Sequence, residues 1–209
     1  MSMREFCTSA SGLYIALEGI DTSGKSTQIE ALRARYPQAL ITKEPGGSKI
    51  GQDIRELILH TPDLDRFCEF FLFLADRAQH YHEVLKPSLD SHKLVISDRS
   101  LISGVAYARD IPQAIEYNHT AIRGVKPHLC VLLLLDEANL RARLGQKTHD
   151  KIEERGIAYM LEIQERLQRF CALLGVRTLE IDATLPPERI TQMIVREVDL
   201  LELDSVELG

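Results

Sequence analysis

The octapeptide at residues 19–26 constrains this chain more than any other stretch, because it has the pattern G-x-x-x-x-G-K-S directly after an apolar run at residues 13–17. In such a loop the main-chain amides surround phosphate oxygens, the lysine reaches the β- and γ-phosphates, and the last hydroxyl can ligate Mg²⁺. An ordinary turn between a strand and a helix would explain the glycines. It would not explain Lys25 and Ser26 at the start of the following helix. The sequence therefore predicts a phosphate-binding loop.

Composition narrows the class of protein. A length of 209 residues predicts one domain over residues 1–209. The formal net charge of −6 argues against broad nucleic-acid binding, and the four cysteines have no spacing typical of a metal site. Neither a signal peptide nor a membrane-spanning run is predicted. These features favour a cytoplasmic protein with no nucleic-acid or membrane partner.

Short aliphatic runs alternate with segments of helical periodicity along the chain. The runs lack polar alternation, which is typical of parallel strands covered on both faces. This order predicts an α/β protein: a three-layer P-loop fold with a five-stranded parallel sheet flanked by helices and a short lid at about residues 144–151. Ligands of such a sheet bind at the carboxyl ends of its strands. The predicted strands are residues 13–18, 39–42, 94–98, 129–136 and 178–182, and the predicted helices are residues 26–35, 50–60, 63–89, 103–117, 137–144, 151–174 and 187–203.

Asp98 and Arg99 stand together at the end of the third predicted strand. Next to a bound nucleotide, an aspartate there can hold a water on Mg²⁺ and an arginine can bind a phosphate. A solvated ion pair at a loop would have the same sequence, so the P-loop context is what favours the functional interpretation.

The phenylalanine-rich segment at residues 67–80 contains a second candidate site. Phe73 and Arg77 are four residues apart and share one face of a helix. The ring can stack on a planar base while the guanidinium donates to a base carbonyl. Packing in the core is the alternative; we expect it for Phe67, Phe70 and Phe71, and the pattern leaves Phe73 open.

Residues 42–48 and Arg55 form a third candidate. The Pro-Gly-Gly within this stretch predicts a tight loop at the end of the second strand, so Glu44 and Arg55 can face one cleft. A plain strand-to-helix turn would look the same.

A group of cations flanks the predicted lid. Phosphoryl transfer needs positive charge on the migrating group, and a closing loop can supply it while it excludes water. A solvated helix with mixed charges is the alternative, and we expect one or two members to be functional. The group consists of Arg141, Arg143, Lys147, Lys151 and Arg155.

Taken in order, these motifs closely resemble those of the thymidylate kinase family, which phosphorylates thymidine monophosphate with ATP. The resemblance spans nearly the whole chain. It rests on the matching stretches at residues 17–21, 42–47, 72–77, 98–107, 127–129, 150–153 and 181–183.

The resemblance implies roles for individual residues. Phe73 stacks on thymine, Arg77 donates to its exocyclic oxygen, Asp21 contacts the sugar 3′-hydroxyl and Tyr107 crowds the 2′ position. The implied catalytic residues are Lys25, Asp98, Arg99, Arg143 and Lys151. ATP-binding residues would be Gly19, Ile20, Asp21, Thr22, Ser23, Gly24, Lys25, Ser26 and Thr27; substrate-binding residues Asp21, Glu44, Arg55, Phe73, Arg77, Arg99, Ser103 and Tyr107; and metal ligands Ser26 and Asp98.

The chain departs from the family pattern at several positions. Ser100 replaces an aromatic residue, Ala108 replaces a glutamine, and Gly104 stands where many bacterial relatives have a hydroxyl. Base recognition is therefore expected to be thinner, or to be supplied partly by Ser103 and water. Lys43 and Lys151 replace arginines, and lysine lacks the bidentate geometry of a guanidinium.

We therefore expect a magnesium-dependent kinase that uses ATP and thymidine monophosphate. Two alternatives stay open: another nucleotide or deoxynucleoside kinase on the same scaffold, and a non-catalytic nucleotide-binding module. A homodimer is expected from the resemblance, and apolar faces at residues 67–74 and 102–108 would permit one.

Overall fold

The computed structural model of the chain describes residues 12–145 and 156–207. Its centre is a parallel sheet in which the strands lie in the order β2-β3-β1-β4-β5. Side chains along β1 and β4 are buried at consecutive positions. Since consecutive side chains point to opposite faces, helices must cover both faces of the sheet. This confirms the predicted α/β fold. The strands are β1 Leu13–Gly19, β2 Leu40–Lys43, β3 Leu94–Asp98, β4 Leu129–Leu134 and β5 Arg177–Asp182.

The helices occupy the segments between the strands. Helices α1 and α9 pack together, and α5 packs on α8. In the described residues, no helix is both long and apolar enough to cross a membrane. The helices are α1 Lys25–Arg35, α2 Gly51–His60, α3 Arg66–His80, α4 Lys86–Asp90, α5 Leu101–Tyr107, α6 Ala114–Ala121, α7 Glu137–Leu144, α8 Gly156–Leu173 and α9 Pro187–Glu207, with a π-helical turn Tyr81–Leu85 joining α3 to α4.

One predicted helix is wrong, since residues 103–117 contain the end of α5, a loop and the start of α6. Pro112 lies in the loop, and Gln113 adopts a left-handed conformation with φ 55° just before α6. A proline cannot donate the main-chain hydrogen bond that a continuous helix needs at that point. The break lets α6 return and pack against both α3 and α5.

The expected core residues of α3 divide into two groups. Phe70 is buried, as predicted, but Phe67 and Phe71 are 49% and 52% exposed, so their assignment to the core is wrong.

The apolar face predicted at residues 102–108 is unavailable for association with a second copy, because Ile102 and Val105 are fully buried within the chain. Helical periodicity indicates an apolar face but not which neighbour covers it.

The register of the sheet brings the predicted site together. Asp98 at the end of β3 pairs with Leu17 of β1 and with Lys43 of β2. The loops that follow these three strands therefore start at one edge. Residues 146–155, which include most of the predicted lid, lie outside the described residues.

Candidate active site

The P-loop is the tight connection between β1 and α1. Gly19 has φ 149°, and a Cβ there would lie 2.7 Å from Ser23 Oγ and 2.9 Å from the Leu133 carbonyl oxygen, so only glycine fits. Thr22 has a positive φ of 67°, and Gly24 is left-handed at φ 98° as α1 begins. Ile20 is buried beneath the loop. The sequence thus folds here into the predicted compact loop.

Lys25 fills the interior of this loop. Its ammonium donates to the carbonyl oxygens of Gly19 at 2.8 Å and Ile20 at 3.0 Å. Burial and, to a smaller extent, the nearby charge of Arg99 together lower the pKa of Lys25 to about 8. An incoming phosphate would stabilise the charged form of this lysine.

Several polar groups around the loop have no partner. No side chain caps the N-terminus of α1. Buried side-chain oxygens without a hydrogen bond in the described residues are Thr22 Oγ1, Ser23 Oγ and Asp98 Oδ1. Buried polar atoms are normally paired, so these orphans indicate a place for a polar ligand. Ser26 and Thr27 are exposed at the first turn of α1, open to the same side.

Arg99 is the centre of a second cluster of predicted residues. It has φ 71°, and its Nη2 donates to Asp21 Oδ1 at 2.7 Å. Its Nη1 donates to Ser103 Oγ at 3.1 Å. The same nitrogen lies 3.4 Å from both the Tyr107 hydroxyl and the Gly19 carbonyl oxygen, to which it also donates. The structure therefore brings all of these predicted residues into contact.

Glu18 lies beneath this cluster and was not predicted as a site residue. Its fully buried carboxylate accepts from Ser103 Oγ at 2.5 Å, from the Ser103 amide at 3.4 Å and from Ser100 Oγ at 2.7 Å. Burial raises the pKa of Glu18 above its ordinary value, although the serine hydrogen bonds and Arg99 act in the opposite direction. Ser100 thus replaces the family's aromatic residue with a buried contact that also caps α5.

Arg77 and Glu44 form a third, buried cluster. Arg77 Nε donates to Glu44 Oε2 at 2.8 Å, and His80 Nδ1 lies 2.9 Å from Glu44 Oε1. Burial alone would raise the pKa of Glu44, but Arg77 and His80 together lower it below its ordinary value. Ser100 joins this cluster to the previous one, because its carbonyl oxygen accepts from Arg77 Nη2 at 3.3 Å.

The loop after β2 lies against the same helix. Asp76 is almost fully buried, and its Oδ1 accepts from the Gly46 amide at 3.1 Å. Arg55 approaches Gly46 from α2, and it makes no hydrogen bond or ion pair with any described residue. Phe73 is half-buried on α3, which leaves part of its ring accessible.

Of the predicted lid cations, Arg141 and Arg143 are described, and Arg141 donates to Glu137 Oε1 at 2.8 Å within α7. Arg143 extends from the last turn of α7 and donates to the Thr22 carbonyl oxygen at 2.9 Å and to the Ala183 carbonyl oxygen at 2.6 Å. It therefore links the P-loop to the segment after β5. Lys147, Lys151 and Arg155 lie outside the described residues.

Sequence reasoning missed the buried polar residues that support the site. These are Glu18, Asp76, His80, Ser100 and Asn118. For Glu18, Asp76, His80 and Ser100 the only signal was their place next to a recognised motif, and Asn118 had none, because no local pattern shows that these residues are buried.

Comparison with known proteins agrees with this geometry. Residues 17–194 match the family described as thymidylate kinase. The thymidylate kinase of Helicobacter hepaticus is 51% identical over 196 residues, which cover 90% of this chain and 100% of the relative. That of Wolinella succinogenes is 49% identical over 88% of this chain and 96% of its own. The thymidylate kinase of Helicobacter pylori strain 26695 is 45% identical over 82% of this chain and 90% of its own length. The P-loop, the cluster around Arg99 and these matches together establish that the chain belongs to the thymidylate kinase family.

Proposed function

We propose that this chain transfers the γ-phosphoryl group of ATP to the 5′-phosphate of thymidine monophosphate, as a step in the synthesis of thymidine triphosphate. One observation carries the proposal. At the carboxyl edge of the sheet, Lys25 lies inside the P-loop, and Arg99 lies beside it in contact with Gly19 and Asp21. Arg55 of α2 adds a further guanidinium beside Gly46 in the loop after β2. These cations are suited to bind the phosphates of two nucleotides. The relatives named above, all called thymidylate kinases, support the choice of acceptor.

The donor site would use the P-loop amides, Lys25 and the N-terminus of α1 for the ATP phosphates. Three unpaired buried oxygens, on Thr22, Ser23 and Asp98, suit a hydrated polar ligand. Arg143 already contacts the Thr22 carbonyl oxygen, so it is close to the donor site. Together with Lys151 it is our candidate for stabilising the transferred group.

The residues present also fit a magnesium ion that arrives with ATP. Asp98 Oδ1 is buried without a partner, and the Ser26 hydroxyl is exposed at the start of α1. No group of three or more His, Cys, Asp or Glu side chains in the described residues could enclose a metal alone. Mg²⁺ commonly takes one or two protein oxygens and completes its shell with phosphates and water. When bound, it neutralises charge on the phosphate oxygens.

The acceptor site would lie between the cluster of Arg99 and that of Arg77. Arg99 and Arg55 bind the 5′-phosphate, and the Nε–H of Arg99 has no partner among the described residues. Phe73 stacks on the base, and Arg77, oriented by Glu44, donates to it. Asp21 and Tyr107, both in contact with Arg99, face the sugar.

The transfer itself needs no strong base. The acceptor phosphate is already ionised at neutral pH, so one of its oxygens attacks the γ-phosphorus directly. The bond from that phosphorus to the β–γ bridging oxygen breaks, and ADP leaves with the electron pair. The protein contributes alignment and charge neutralisation.

A panel of acceptors tests this function. ADP release is followed by a coupled assay with thymidine monophosphate, its ribose, uracil and guanine counterparts, and free thymidine. We expect the fastest turnover with thymidine monophosphate and a loss of at least about a thousandfold in Lys25→Ala. Faster turnover with another acceptor would assign a different kinase activity, and ATP binding without ADP release for any acceptor would indicate a binding module.

We also propose that the enzyme is a cytoplasmic homodimer. Phe67 and Phe71 of α3 and Tyr117 of α6 are all exposed, and the ring centroids of Phe71 and Tyr117 are 6.2 Å apart. Leu57 is also exposed on α2, which packs against α3, and we propose that a second copy of the chain covers the exposed aromatic rings. Sedimentation should show a dimer that Phe71→Glu dissociates. Leu173→Glu, which changes an exposed leucine on α8, is the control; a monomeric wild type, or equal effects of both changes, would contradict the proposal.

A further inference from the structure

Asn118 lies in the base-binding half of the site, although it is far from any recognised motif. It is fully buried on α6, and its Oδ1 accepts from Arg77 Nη1. Its Nδ2 donates to the Ala114 carbonyl oxygen at 2.7 Å. These two partners fix the amide, because a flipped amide would place its NH₂ group against the guanidinium. Asn118 is therefore an obligatory acceptor for Arg77.

The contact with Asn118 completes the orientation of Arg77. Nε donates to Glu44, Nη1 to Asn118 and Nη2 to the Ser100 carbonyl oxygen. Three of the five N–H groups of a guanidinium are thereby engaged within the described residues. The partners come from three separate segments, so the plane of the guanidinium is fixed and the other two N–H groups have defined directions.

Gly104 makes room for this arrangement. A Cβ at this position would lie 2.8 Å from Arg77 Cζ and would overlap both Arg77 Nη1 and Asn118 Oδ1. Both of those side chains are buried and bonded to each other, so neither can move away without loss of a contact. The missing side chain at 104 and the amide at 118 are thus two halves of one feature, which we name the Gly104–Asn118 pair.

We infer that the Gly104–Asn118 pair positions Arg77 for recognition of the base of the acceptor nucleotide. Asn118 supplies the hydrogen-bond acceptor for Arg77 that Gly104, which has no side chain, cannot supply. Gly104 in turn leaves the space that the side chains of Asn118 and Arg77 fill. This inference rests on the proposed function, since it assigns the pair to the acceptor half of that site. Asn118 is a positioning residue that acts through Arg77.

A comparison of Asn118→Ala with Asn118→Asp separates positioning from packing. Aspartate keeps the oxygen that faces Arg77 and loses the donor to Ala114, whereas alanine loses both. We expect Asn118→Ala to raise the KM for thymidine monophosphate about tenfold, with the KM for ATP unchanged. In Asn118→Asp the second oxygen faces the Ala114 carbonyl oxygen, but the oxygen that accepts from Arg77 is kept. This variant should therefore raise the KM for thymidine monophosphate less than Asn118→Ala does, with the KM for ATP unchanged. Equal losses in the two variants, or a parallel change in the KM for ATP, would overturn the inference.

A second experiment introduces Asn118→Ala into a variant that already carries Arg77→Met. If Asn118 acts through Arg77, adding Asn118→Ala to Arg77→Met leaves the acceptor KM unchanged. Independent effects that multiply would contradict the inference.

A rescue experiment tests the coupling even if one single variant folds poorly. Gly104→Ser alone should weaken acceptor binding, because its side chain overlaps the bonded pair. In Gly104→Ser with Asn118→Ala, the serine hydroxyl enters the vacated space and can accept from Arg77, so the double variant should bind the acceptor better than either single variant. A double variant that binds the acceptor no better than the better of the two single variants would overturn the inference. Wild-type turnover with thymidine monophosphate, measured alongside, reports separately on the proposed function.

Discussion

Ser103 Oγ donates to the buried carboxylate of Glu18 at 2.5 Å and accepts from Arg99 Nη1 at 3.1 Å. This serine therefore transmits the position of a core carboxylate to a guanidinium in the proposed acceptor site. Because Ser100 also donates to Glu18 and accepts from Arg77 through its carbonyl oxygen, Glu18 supports both arginines. A buried network thus joins the two arginines of the proposed acceptor site.

Removal of the Glu18 carboxylate should destabilise the protein. Glu18→Ala leaves the Ser100 hydroxyl and the Ser103 hydroxyl and amide buried without an acceptor, and we expect a loss of about 2–4 kcal/mol in the free energy of unfolding. Urea denaturation measures this. Glu18→Gln keeps one acceptor oxygen and should lose less. A Glu18→Ala protein as stable as wild type would show that the network matters little.

The same residue predicts a dependence of stability on pH. Burial raises the pKa of Glu18 in the folded protein. A carboxyl group with a raised folded-state pKa contributes stability that is complete below its unfolded pKa of about 4.3 and is lost as pH rises through the folded pKa. Non-titrating Glu18→Gln should therefore gain stability relative to wild type as pH rises from about 4 to 7. A constant difference over this range would contradict the assignment.

Lys25 should make the affinity for ATP depend on pH, because the lysine takes up a proton when ATP binds. Its pKa of about 8 in the free protein means that much of it is neutral at pH 9. Bound phosphates favour the charged form, so ATP binding should take up a proton above pH 8 and weaken as pH rises further. Calorimetry in buffers of different ionisation enthalpy measures the uptake. Lys25→Met should abolish it, and an uptake that survives in this variant would assign the proton elsewhere.

Asp98→Asn should act on the magnesium requirement. The amide keeps the shape of the side chain but removes the charge at the unpaired Oδ1 position. We expect the Mg²⁺ concentration for half-maximal rate to rise about 10–100-fold, with the unfolding free energy nearly unchanged. Asp182→Asn, at the end of β5, is the matched control. An unchanged magnesium titration in Asp98→Asn would remove this residue from the metal site.

Arg55 should matter for the acceptor and not for the fold. It has no hydrogen bond or ion pair among the described residues, so Arg55→Ala should change stability by less than about 0.5 kcal/mol. The KM for thymidine monophosphate should rise about tenfold or more, because a charged contact to the phosphate is lost. Arg33→Ala on the exposed face of α1 is the control. A normal acceptor KM would place Arg55 outside the site.

The parts of the structure predicted from the sequence are those with local signals. The P-loop, the five strands and the placement of Asp98 and Arg99 follow from short patterns, and the parallel register then brings them to one edge. Glu18 and Asn118 have no such signal, since their partners lie 82–85 and 41 residues away along the chain. Such contacts depend on packing, which local periodicity does not encode.

The phenylalanines of α3 show the same limit. Phe67, Phe70 and Phe71 have similar sequence surroundings, yet Phe70 is buried and the other two are about half exposed. Their environment depends on how α6 crosses α3, and on what covers the outer face. The break at Pro112 that directs α6 was not recognised from the sequence.

The most direct test of the account is whether the donor and acceptor sites hold the γ-phosphate of ATP and the 5′-phosphate of thymidine monophosphate next to each other in one cleft. Adenosine and thymidine joined through a chain of five phosphates would occupy the donor and acceptor sites together. Calorimetry should show one molecule bound per chain, at least about a hundredfold tighter than ATP or thymidine monophosphate alone, with each nucleotide preventing its binding. Affinity no greater than that of ATP, with thymidine monophosphate still able to bind, would contradict the account.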